Sequence, residues 1–287
     1  MTTAGAAESP DSQAVRYVRS HKLNAPTPGD VRGALQTAMP LDWRHVWDEA
    51  CAVAGVDPDV GLLDVRGMER LTAALAAHST PAGLVGRSFA IRVAAFRHIS
   101  AQAGPTNAPT WDWARESMNL LLRTRMPAPD RMAEIVRLDV FSQSSRQQLD
   151  RAAQKAAERL GTPVGLVSIV LDGAQQFAGS HGLTGWMEQT GGTPVEWSFC
   201  ATMVRTAEPY LVPDTSSDVI QRYNPLVAHD GIGSYAGAPL ITSKGEVLGS
   251  CCVISSEARE YSEQDVAVLT ALADEIVAEL ERDRPRA

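Results

Sequence analysis

The sequence predicts an α+β fold, in which a small all-α region precedes an antiparallel sheet flanked by helices. Three observations carry that expectation. Apolar residues recur at three- and four-residue steps between residues 28 and 125, with little β-branched alternation. Two long strand-type runs, VGLVSIVL at 164–171 and VLGSCCVIS at 247–255, lie further along the chain. Their neighbours are reached through connections of hairpin length, which suit antiparallel strands and are too short for a parallel crossover.

Taken in order, residues 1–12 read as a disordered tail and residues 13–127 as a helical domain. A first helical run follows Pro28 and Asp30 and reaches Gln36, before Pro40. Leu41 to Ala54 carries Trp43, Val46, Trp47, Ala50 and Val53, and Gly55 terminates it. Pro58 to Ala77 repeats the pattern through Leu63, Met68, Leu71 and Leu75. Pro81 to Ala103 does so with Leu84, Phe89, Val93, Phe96 and Ile99, and Trp111 to Arg125 offers a fifth helix. The prolines of Met126-Pro127-Ala128-Pro129-Asp130 interrupt helical patterns on either side and mark a boundary.

Residues 128–283 read as a second domain and 284–287 as a short tail. Gln148 to Leu160 is an amphipathic helix that Gly161 and Pro163 stop. Val164–Leu171 is a buried strand, and Asp172-Gly173 turns it into Ala174–Ser180. Tyr210–Pro213, Ile232–Leu240 and Val247–Ser255 are further strands. Ser262 caps a last helix, with Glu263 and Asp265 in its first turn.

Composition sets outer limits. A chain of 287 residues predicts two domains, or one with a long extension. No apolar run approaches the roughly 18 residues of a membrane helix. Met1 to Pro10 is small and polar, unlike a secretory signal, and four cysteines do not make a disulfide scaffold, so a reduced, cytoplasmic protein is expected. Residues 128–287 hold 22 Asp/Glu against 13 Lys/Arg, and the net charge of −8 argues against binding nucleic acid.

Several segments then align with one known family. They are "LGTPVGLVSIVLDGAQQFAGSHGL", "SFC" at Ser198–Cys200 and "EPYLVPDTSSD" at Glu208–Asp218. "NPLV" at Asn224–Val227, "YAGAPL" at Tyr235–Leu240 and "GEVLGSCCVIS" at Gly245–Ser255 follow. In order and spacing they resemble a GAF domain, a small-molecule sensor module of bacterial signalling proteins. The resemblance implies an antiparallel sheet of five or six strands, helices behind it, a ligand pocket in front, and a homodimer through the terminal helices. Ile220 and Gln221 stand where relatives often carry Arg-Phe, and Ile232-Gly233-Ser234 where Ile-Arg-Phe usually precedes the tyrosine. Residues 1–127 resemble no family.

Candidate pocket residues are Phe177, His181, Trp186, Trp197, Phe199, Cys200, Tyr223, His229 and Tyr235. Aromatics with a few polar groups suit a small, flat or apolar ligand, although Trp197 and Phe199 suit a plain core equally well. The segment Gly182–Gly192 reads as a lid or a surface loop. Cys251 and Cys252 are strand neighbours and should face opposite ways. Cys200 with one of them makes a redox pair or thiolate site, or all three are small buried residues. No metal-ligand spacing is present, and no cofactor is indicated. The reductase chemistry known on this fold uses a further cysteine in the segment that here spans Asn224–Gly231 and holds none, so no enzyme is expected. In the last helix Val266, Leu269, Ala273, Ile276 and Leu280 form a seam for dimerisation or for covering the sheet. The expected function is a signalling protein. Its sensor domain detects a small molecule and relays it, through flanking helices and the helical region, to a protein partner not named by the sequence.

Overall fold

The computed structural model describes residues 17–18, 23–102 and 129–282. The expected tails and the expected helix Trp111–Arg125 lie outside the described residues. A two-residue pair, β1 (Tyr17–Val18) and β2 (Leu23–Asn24), opens the chain. Helix α1 (Pro28–Ala38) is started by Thr27, whose side chain and Asp30 form a reciprocal capping box. Helix α2 (Trp43–Ala54) ends at Gly55, held at φ 65°. Helix α3 (Val65–Ala76) begins later than the expected Pro58. Asp64 caps it by accepting from the Gly67 amide, while the Pro58 carbonyl is drawn off to the Trp47 indole at 3.0 Å.

Helix α4 (Pro81–Gln102) is the longest element of the helical part, and of its described side chains only Arg97 and Ala101 are exposed. Three different cores claim it. Leu84 joins the core behind the sheet. Val85, Phe89 and Val93 pack with Val31, Leu35, Trp47, Leu71 and Leu75 of α1–α3. Ala95, Phe96 and Ile99 enter the core in front of the sheet, together with Leu23.

Helices α5 (Pro129–Leu138) and α6 (Gln143–Leu160) lead into the sheet. Helix α6 starts five residues before the expected Gln148, because Ser142 caps it through the Ser145 amide. The strands are β3 (Val164–Val170), β4 (Ala174–His181), β5 (Gly192–Pro194), β6 (Tyr210–Val212), β7 (Ser234–Ile241) and β8 (Val247–Ser255). Short helices α7 (Gly185–Thr190), α8 (Cys200–Thr206) and α9 (Pro225–Ala228) fill the insertions, and α10 (Glu263–Arg282) closes the chain. The order across the sheet is β5-β4-β3-β8-β7-β6, with every neighbour antiparallel. The fold is α+β, as expected, with six strands; β5 is the one the sequence reading lacked.

Behind the sheet, α5, α6 and α10 pack on Val167, Ile169, Ala236, Ala238, Cys251 and Val253. The seam residues Leu269, Ala273, Ile276 and Leu280 are buried in this layer, so the seam covers the sheet within the chain. Helix α6 lies unusually close. A Cβ on Gly179 would sit 2.3 Å from the Leu149 carbonyl carbon and oxygen, so only glycine admits the helix backbone there. The segment Gly182–Gly192 is no lid: it forms α7, which buries Trp186, and enters β5.

The helical part is fastened to the sheet by charge as well as by packing. The Arg92 guanidinium of α4 grips Glu196 with two bonds of 2.7 and 2.9 Å and also reaches the Gly173 carbonyl at 2.9 Å. Both side chains are nearly buried, at 12% and 9% exposure. Ser88, one turn earlier, accepts from the Gly173 amide.

Two outcomes are expected. Gly179→Ala forces α6 off β4 and costs about 1–3 kcal/mol, read as a lowered urea midpoint; an unchanged midpoint would contradict the close approach. Arg92→Ala removes the guanidinium from a buried carboxylate and costs about 3 kcal/mol. Arg92→Lys should recover only part of it, since a single ammonium cannot reproduce the two-pronged grip.

Candidate functional site

The front of the sheet presents Leu166, Ser168 and Val170 from β3, Tyr235 from β7 and Cys252 from β8, as period-two alternation requires. Six of the nine candidate residues meet there in one buried cluster: Phe177, Trp186, Trp197, Phe199, Cys200 and Tyr235. The rings interlock. Phe199 stacks on Tyr235 with centroids 4.9 Å apart, and Trp186 meets Trp197 edge-on at 6.2 Å. His98 of α4 stacks on the outer face of Trp186 at 5.9 Å.

The other three stand apart. His181 is half-buried at the end of β4 and outside this cluster. Tyr223 is 48% exposed and lies under the Arg222 guanidinium on the surface. His229 is exposed, after α9. Tyr223 and His229 are therefore corrected as pocket-lining residues. The cause is local: Asn224 ends a single 3-10 turn at Gln221–Tyr223 and caps α9, turning Tyr223 outward while Gln221 goes in.

Residues outside the nine candidates hold this layer in place. Asn224 donates to the Trp197 carbonyl and to Gln221 Oε1, both at 2.9 Å, and Gln221 Nε2 donates to the Tyr210 hydroxyl at 3.2 Å. The Ser198 hydroxyl donates to Gln175 and accepts from the Ala201 amide, which starts α8 under the aromatic layer. The Trp186 indole donates to Asp230 Oδ1 at 2.6 Å, while Asp230 Oδ2 is buried without a hydrogen-bond partner. Burial pushes the Asp230 carboxyl up, against the pull of the Trp186 bond and of His229 and His98. Only the spread of apolar residues around Pro81–Gln102, with no single stripe, could have announced one part of this, the entry of α4.

The cysteines separate by face. Cys251 lies behind the sheet, and burial with the neighbouring Cys200 charge pushes its thiol up to about 12. It is therefore corrected as a redox partner: the sheet stands between it and Cys200. Cys200 and Cys252 share the front, with Sγ atoms 3.8 Å apart, and Cys200 Sγ lies 3.1 Å from the Tyr235 hydroxyl. Burial opposes ionisation of Cys200, but hydrogen bonds from Cys252, Ser168, Ser250 and Tyr235 hold its thiol below the usual range. The bond to Cys200 and burial together push Cys252 well up. Among the described residues no group of three or more His, Cys, Asp or Glu side chains is placed to hold a metal. Nor is any described helix long and apolar enough to cross a membrane.

A concavity lies at the junction of the helical part with the sheet domain. Ala34 and Ala38 of α1, Pro81 and Leu84 of α4, Met132 of α5 and the carboxyl of Asp172 line it. Burial raises the Asp172 carboxyl despite its bonds from Ser88 and the Gly173 amide.

Comparison with known proteins follows this geometry. A cyclic di-GMP phosphodiesterase of Pseudomonas aeruginosa is 34% identical over 152 residues, covering 52% of this chain and 25% of the relative. The chain thus spans about a quarter of that relative's length. The type II free methionine-R-sulfoxide reductase of Thermoplasma acidophilum has 17% identity and a TM-score of 0.42, over 52% of this chain and all of that one. The GAF domain of an Acinetobacter phosphoenolpyruvate-protein phosphotransferase has 16% identity and a TM-score of 0.41, over 57% and 92%. The expectation that the chain is no enzyme is corrected by the phosphodiesterase match, since the relative found at 34% identity is itself named as an enzyme. The GAF family model matches residues 145–280, the sheet and its flanking helices, and the second part of this chain is a GAF domain.

Proposed function

We propose that the chain is a signalling protein whose GAF domain takes a small, largely apolar ligand at the front of its sheet and reports it through α4. One observation carries this reading. Leu23, Ala95, Phe96 and Ile99 of the helical part share a single buried core with Leu166, Phe177, Trp197 and Tyr235 of the GAF domain. A ligand on that face competes with α4 for the same apolar surface. Its differential affinity for the undocked arrangement is then the free energy available to move the helical part. A partner that reads the surface of α1–α4 receives the signal. This reading draws on the resemblance of residues 145–280 to other sensor modules and on the packing just described.

A second reading comes from the relative's name. The chain, or a longer protein that carries it, acts in cyclic di-GMP turnover. Incubating the purified chain with cyclic di-GMP and separating the products by chromatography tests it. A linear dinucleotide supports catalysis by the chain itself, and intact substrate with no bound mass counts against a direct role.

For the sensor reading, the test is native mass spectrometry after incubation with a small-molecule cell extract, paired with amide exchange over α4. Phe96→Ala shrinks the competing plug and should raise the bound fraction several-fold over wild type. Exchange over residues 91–102 should quicken when the mass binds. A bound molecule that leaves α4 exchange unchanged overturns the relay, and no bound mass in either protein overturns the sensing.

A further inference from the structure

The Cys200–Cys252 pair carries an inference independent of any ligand. We infer that these two thiols form a reversible disulfide, making the front of the sheet a site of oxidation by hydrogen peroxide. Four observations converge. The sulfurs already stand 3.8 Å apart, and a bond needs about 2.05 Å. They come from different elements, the first residue of α8 and the middle of β8, which pack directly on each other. Gly237, the β7 partner of Cys252, permits this tight cluster, because a Cβ there would lie 2.8, 2.9 and 3.0 Å from Tyr235 Oη, Met203 Cε and Cys252 Cβ. The Tyr235 hydroxyl touches Cys200 Sγ and supplies a hydrogen-bond donor at the reacting sulfur.

The chemistry balances in two steps. The Cys200 thiolate attacks one peroxide oxygen; an S–O bond forms, the O–O bond breaks and hydroxide leaves to be protonated to water. Cys252 sulfur then attacks the sulfenic sulfur of Cys200. An S–S bond forms, the S–O bond breaks, and the oxygen departs as a second water with the Cys252 proton. The two sulfurs together give up two electrons, which reduce one peroxide to two waters. A dithiol reductant reverses the change. Peroxide is small and uncharged, so entering the apolar core strips no charge of its water.

The other two cysteines act as internal controls. Cys251 is adjacent in sequence but behind the sheet, and Cys51 lies in the helical core, its thiol pushed up to about 11 by burial and by Asp48. The test exposes the reduced full chain to hydrogen peroxide, denatures it, alkylates the remaining thiols and maps the peptides. The expected result is loss of two of the four alkylatable thiols. A linked Cys200–Cys252 peptide should appear, lighter by two hydrogens, and dithiothreitol should abolish it. Cys251→Ser should keep the linkage, and Cys252→Ala should lose it while retaining the far-ultraviolet dichroism of the fold. Four thiols still alkylated after peroxide, a linkage through Cys251 or Cys51, or Cys200 ending as a sulfinic acid beside a free Cys252 would each overturn the assignment.

Discussion

Burial of α4 on every side is the constraint on which the rest of the structure depends. A helix with one apolar stripe needs one partner surface; a helix with apolar residues spread around it needs several. α4 finds three, and thereby makes one body of what the sequence divides in two. The GAF sheet supplies a front face that its own short helices only partly cover. The small bundle α1–α3 takes up Val85, Phe89 and Val93 of α4 and leaves its other faces to the sheet domain. Neither part satisfies its exposed apolar surface alone, and α4 settles both. Because interiors are close-packed, a displacement of this helix is felt in all three cores together.

Charge decides the register of that docking. Apolar packing alone tolerates sliding by a residue or a turn, since it is non-directional. The two-pronged contact of Arg92 with Glu196, with the Gly173 carbonyl as a third acceptor, has one geometry. It ties α4 to two separate points of the GAF domain, the β3–β4 turn and the turn before α8. The second of these leads into Trp197 and Cys200, so the clamp and the aromatic layer are mechanically continuous.

Much of this was legible in the sequence, and the limits have physical causes. Strand periodicity placed Cys251 and Cys252 on opposite faces, because alternation follows from backbone geometry alone, whereas the aromatics were named as candidates through the family resemblance. Ser262 and Gly161 announced their helix ends because capping is local chemistry. The strand β5 left no signal: Gly192-Thr193-Pro194 has no alternation, and it pairs only because β4 offers an open edge. The indole of Trp186 meets Asp230 across 44 residues, a contact no local pattern encodes. Tyr223 and His229 were misplaced for the converse reason. Their residue types suggested a pocket, and a single turn capped by Asn224 carried them outside it.

The position of the sulfur pair gives the proposed oxidation a consequence for the proposed relay. Cys252 and Phe96 belong to the same core, so bond formation closes the sulfur–sulfur separation by about 1.8 Å within packing that α4 shares. A close-packed core has no slack to absorb that shift silently. Whatever free energy the disulfide adds to or takes from α4 docking, docking returns to the disulfide in equal amount, because coupling between two sites is reciprocal. If the bond loosens the helix, then a ligand that displaces α4 also favours the bond, and the two inputs reinforce each other. If the bond tightens the helix, oxidation and ligand oppose, and the reduced protein is the one poised to respond. The same contact surface thus makes redox state and ligand occupancy arguments of one equilibrium, the docking of α4.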